Sequence, residues 1–171
     1  MTTQQMLLIT GLYLVAGVVV TYFTRATARR VVGALAGGAA ASFVGLGMIS
    51  LSEALGWWHI PFASTPYFVP VFYLGVAITC APIYLITWRV ARRFGWRGLA
   101  LCVGIVGVIG PPRDYAYAAT FPKWMVFAPG IAPILADSAA YIMIVVAGHA
   151  VMRLVTGPAR ADRLVERRRQ K

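Results

Sequence analysis

Residues 110–149 read GPPRDYAYAATFPKWMVFAPGIAPILADSAAYIMIVVAGH. Two prolines, an Arg-Asp pair and a run of aromatics lead into a long apolar stretch that predicts a helix over 130–155. At 1.5 Å per residue such a helix is ~39 Å long, enough to cross a bilayer with some tilt. It carries an acid, Asp137, about two turns from its start. A carboxylate at that depth is costly in hydrocarbon, so it should face protein or water and have a partner.

Working outward, the same signal recurs. Of the 171 residues, 60% are hydrophobic, and the mean hydropathy is +0.74. A soluble domain is nearer 45–50% apolar. Apolar runs of about twenty residues, the length a bilayer core requires, predict helices over 6–23, 31–51 and 67–88, with a shorter one over 94–110. The expected fold is therefore all-α: one transmembrane domain over 1–155 with about five spans, followed by a basic tail over 156–171. The fourth run is the weak one. Gly98–Gly110 would cover only ~20 Å of a ~30 Å core, so either the helix begins near Phe94, with Arg97 snorkelling, or it stops short at Pro111-Pro112. The segment from there to Gly130 reads as an interfacial connection.

The net charge of +11 invites a nucleic-acid reading. The positions of the charges argue against it. Fourteen of the 16 Lys and Arg fall in loops 24–30 and 89–97 and in the segment from Arg153 onward; only Arg113 and Lys123 fall between the alternate spans. That is the positive-inside pattern, with the N-terminus outside and the C-terminus cytoplasmic, in an inner membrane of bacterial type. The first apolar run has no basic residues before it, and Arg25, Arg29 and Arg30 follow it, an order expected of a retained helix rather than a signal peptide. Lipid is the implied partner, and nucleic acid is not.

Within the second run, Gly33, Gly37, Ala41 and Gly45 recur every four residues and so share one helix face. Stripes of this kind let backbones approach closely in membranes. The stripe is expected to pack inside the chain, with a homo-oligomer or a partner in a membrane complex as the alternative. Pro82 is expected to kink the third run, with Thr79 placed to satisfy a freed backbone group. Cys80 and Cys102 lie in apolar runs without metal-ligand spacing, which predicts packing cysteines and no metal site. No cofactor is indicated by any motif.

By topology alone, Glu53, His59, Arg113, Asp114 and Asp137 belong to the outer half, together with Trp57, Trp58, Tyr115 and other aromatics. Polar groups among aromatics are the general make-up of a small-molecule pocket. The expected ligand-binding set is Arg113, Asp114, Tyr115, Asp137, Tyr141, Trp57 and Trp58. Neighbours on a helix do not face each other, so Arg113 and Asp114 are expected to pair elsewhere, and Asp137 to meet Arg113 or Tyr141. The function this composition favours is non-catalytic: an accessory or binding protein holding an apolar or amphipathic small molecule in an outward-facing cavity. The alternative is an enzyme acting on a lipid or isoprenoid. There Asp137 or Glu53 would serve as acid and His59 as base, with Arg113 holding a head group.

Overall fold

Four helices and one short β-ladder make up the computed structural model, which describes residues 3–61, 63–121 and 125–159 and the side chains from residue 11 onward. Phe62, Lys123, Trp124 and the basic segment from Arg160 lie outside the described residues. The helices are α1 (Thr3–Thr24), α2 (Ala28–Ala54), α3 (Phe68–Thr120) and α4 (Ile131–Thr156). The chain is 83% helical, and α2, α3 and α4 are each long and apolar enough to cross a membrane.

The surface supports that reading. Large apolar side chains point away from the bundle, among them Val18 on α1, Val108 on α3 and Leu135 on α4. The interior holds small and polar residues such as Ala34, Ala41, Ser42 and Thr87. Small residues inside and bulky apolar ones outside is the arrangement that lipid permits, because packing rather than exclusion from water joins the helices.

The α2 stripe is where the bundle closes. A Cβ added at Gly37 would strike the Gly148 carbonyl of α4, and one at Gly38 would strike the Ala77 carbonyl of α3. Gly33 faces Met152 and Thr156, Gly45 faces Phe72, and Ala41 is fully buried. These positions of the stripe thus pack against this chain's own helices. Across the same seam, the Tyr84 ring lies over Gly148 and its hydroxyl donates to the Ile144 carbonyl at 2.9 Å. Ser42 donates to the Tyr73 carbonyl at 2.8 Å, and the Thr87 hydroxyl lies 2.9 Å from His149 Nδ1, a second polar link between α3 and α4.

Helix α3 departs from expectation in three ways. It has 53 residues, ~80 Å if straight. It does not run straight: Gly95 has φ 66° and ψ −152°, a conformation open to glycine because it lacks a Cβ. Phe68 near one end and Phe121 just past the other line the same cavity, so the chain doubles back at Gly95 into two arms. Second, backbone angles stay helical through Pro82, and the Thr79 hydroxyl bonds the Val76 carbonyl at 3.4 Å, not the Ile78 carbonyl that Pro82 frees. Third, the second arm continues through Pro111-Pro112 to Thr120 instead of stopping at Gly110. The two prolines remove two backbone donors, but packed helices in membranes tolerate this. Here Pro111 is buried and Gly110 lies against the Tyr141 ring.

The ends are tied separately. At one end Arg30, 1% exposed, holds the exit of α4: it bonds the Thr156 hydroxyl and, at 3.0 Å each, the carbonyls of Gly157 and Pro158. Its guanidinium also sits 5.3 Å from the centre of the Trp88 ring. At the other end, β1 (Trp58–His59) pairs antiparallel with β2 (Val126–Phe127), joining the two long connections.

A candidate ligand cavity between the helices

A cavity of about 350 Å³ lies where all four helices meet the Trp58 connection. That size is at the lower end for small-molecule pockets. Tyr13 comes from α1, and Gly45, Met48 and Ile49 from α2. The first arm of α3 adds Phe68, Phe72, Val76 and Tyr84, among others. The second arm adds Val106, Arg113, Asp114 and Tyr117, and α4 adds Asp137, Ala140, Tyr141 and Ile144. Most of the wall is apolar or aromatic.

The polar part is built by helix spacing. Asp137 and Tyr141 are four apart on α4 and share a face. Arg113 and Asp114 stand on the opposing arm of α3. Arg113 bonds Asp114 Oδ1 through Nε at 3.2 Å and through Nη2 at 3.0 Å. Tyr141 joins this pair: its hydroxyl accepts from Arg113 Nη2 and donates to Asp114 Oδ2 at 2.8 Å. The guanidinium also lies 5.1 Å from the centre of the Tyr141 ring. The expectation that the adjacent charges would pair elsewhere is corrected here. The long arginine stem folds back on its neighbour because the Tyr141 hydroxyl offers both of them a third partner.

The expected partners of Asp137 are corrected as well. Arg113 and Tyr141 are both engaged with Asp114. Asp137 is 4% exposed, and its Oδ2 has no hydrogen-bond partner among the described residues. The Trp58 indole Nε1, also in a cavity-lining residue, is buried in the same unpartnered state. Buried polar atoms of this kind are uncommon and call for an explanation.

The other sequence candidates divide. Trp57 packs in the apolar cluster around Ile49 and Trp58, outside the cavity lining. Tyr115 stacks on Phe127 with ring centres 4.1 Å apart, also outside the lining, and its hydroxyl is buried without a partner among the described residues. Glu53 and His59 do not line the cavity. They pair with each other at 3.0 Å near the surface, and Glu53 also accepts from the Ile60 backbone at 3.3 Å. They brace the connection between α2 and β1.

Several cavity residues gave no sequence signal. Phe72, Val76, Cys80, Val106 and Tyr13 look like ordinary span residues, and only the angle at which each helix is rotated brings them inward. Among the described residues, no group of three His, Cys, Asp or Glu is placed to hold a metal ion. Compared with protein-family models, with curated proteins and with solved structures, the chain shows no match.

Proposed function

We propose that this chain is a five-span membrane protein that holds an apolar or amphipathic small molecule between its helices without transforming it. Three of its helices are long and apolar enough to cross a membrane. The break at Gly95 divides the longest into two arms of about 25 residues, ~38 Å each, and α1 is a 22-residue apolar helix. Five crossings place the basic loops and the C-terminus on one side and the N-terminus on the other. This matches the positive-inside asymmetry of a bacterial cytoplasmic membrane.

The observation that carries the binding reading is the cavity of about 350 Å³, apolar along most of its wall, with Asp137, whose Oδ2 has no partner among the described residues, in its polar part. An apolar body and a few convergent polar groups define a ligand pocket. The acid–base alternative has less support, because its base, His59, and one of its acids, Glu53, stand outside the lining.

Mass spectrometry of small molecules co-purifying with the protein tests this reading. Ala140 lines the cavity and is buried, so Ala140→Phe fills it. The expected result is a specific compound retained by the wild type and missing from the folded Ala140→Phe variant. Identical profiles from the two proteins would refute the proposal.

A further inference from the structure

Among the described residues, the cavity wall has one more acid than it has cations. Among the described lining residues Arg113 is the single cation, and Asp114 and Asp137 are the two carboxylates. Arg113 is held by Asp114 on one side and Tyr141 on the other. Asp137 stands apart, nine-tenths buried and more, with Oδ2 open to no donor among the described residues. A carboxylate oxygen in that state carries a desolvation penalty that a donor from a ligand would offset.

The surroundings select the kind of donor. Trp58, Phe68, Phe72, Tyr117 and Phe121 line the same space. Aromatic faces attract cations, most strongly where water is excluded. An anionic head group would meet two carboxylates. A neutral hydroxyl could satisfy Asp137 with one hydrogen bond, but an ammonium adds the Coulomb attraction of a full positive charge, which is strongest where water is excluded.

We propose that the ligand is a lipophilic cation, an amphipathic amine whose ammonium group donates to Asp137 while its apolar body lies along the aromatic and aliphatic wall. This rests on the binding reading above and adds the chemical class of the ligand. The negative charge of Asp137 sets the preference, and the rest of the wall sets affinity for any apolar tail.

The test uses three probes with one tail: n-octylamine, protonated at pH 7 as a lysine side chain is, n-octanol and octanoate. Each is titrated calorimetrically into the full chain in phosphatidylcholine nanodiscs, with empty discs subtracted. The expected result is that octylammonium binds at least about tenfold more tightly than octanol or octanoate, the attraction between an ammonium and a buried carboxylate being worth that much over a neutral donor. Asp137→Asn should abolish this preference, with an unchanged helical circular-dichroism spectrum and thermal midpoint showing that the variant is folded. Asp137→Glu should keep the preference, and serves if the asparagine variant fails to fold. If octanol or octanoate matches octylammonium, or if the preference survives Asp137→Asn, the cation assignment is overturned. The cavity reading would then stand provided Ala140→Phe still removes octanol binding. Binding of none of the three probes would overturn both.

Discussion

The Tyr141 hydroxyl donates to Asp114 Oδ2 at 2.8 Å, joining α4 to the second arm of α3 in the wall of the cavity. The same hydroxyl accepts from Arg113, so one phenol completes a three-residue network. Tyr141→Phe keeps the ring and removes both bonds. It is expected to lower stability by about 0.5–1.5 kcal/mol, the net range for a hydrogen bond, since Arg113 and Asp114 are both partly exposed. Asp114→Asn should have a similar effect, and the double variant should lose less than the two single losses added together. Thermal unfolding of the four proteins in one detergent measures this. Additive losses would show that the residues do not act through one contact.

Glycines of α2 should separate sharply by position. A Cβ at Gly38 meets the Ala77 backbone, which has no flexible end to move aside, whereas nothing lies within 4 Å of a Cβ at Gly47. Gly38→Ala should therefore destabilise by about 1–3 kcal/mol through overpacking. Gly47→Ala should be neutral or slightly stabilising. Melting temperatures of the two variants decide it; equal losses would show that α2 does not pack on α3 at Gly38.

Arg30 should not be replaceable by lysine. Its planar fork reaches the Gly157 and Pro158 carbonyls from separate nitrogens while lying over Trp88. A lysine keeps the charge but not the fork or the stacking. Arg30→Ala should destabilise by about 1–3 kcal/mol, since it strands buried acceptors, and Arg30→Lys should recover only part of that. Full recovery in a denaturation series would show that charge alone matters at this site.

Labelling introduced cysteines in a background lacking Cys80 and Cys102 tests the hairpin in α3. Ser64 lies in the connection before α3, and Arg93 lies just before the Gly95 break; both are exposed. A membrane-impermeant thiol reagent added outside intact cells should label Ser64→Cys. Arg93→Cys should be labelled only after permeabilisation. Labelling of both from one side would refute a crossing by the first arm and with it the five-span topology.

Helices α2 and α4 could be read from sequence almost to their ends, because helix formation and partition into hydrocarbon depend on runs of neighbouring residues. The burial of Asp137 followed from the same local arithmetic, since a carboxylate two turns inside an apolar helix has nowhere cheap to go but inward. Its partners did not follow. Whether Arg113 meets Asp137 or Asp114 depends on how the second arm of α3 is rotated against α4, and that rotation is set by contacts such as Gly110 on the Tyr141 ring and Gly107 on Ile142. The passage of α3 through Pro111-Pro112 was hidden for a related reason: local rules count the lost backbone bonds and cannot see the packing that compensates them. Glu53 and His59, which composition marked as possible acid–base groups, were withdrawn from the cavity by the two-residue ladder between Trp58–His59 and Val126–Phe127, a pairing of segments far apart in the chain. The sequence alone determined which residues enter the helices and which polar ones are expensive there. Only the tertiary structure decided which of them meet, because helix rotation and close glycine packing are properties of facing surfaces, not of neighbouring residues.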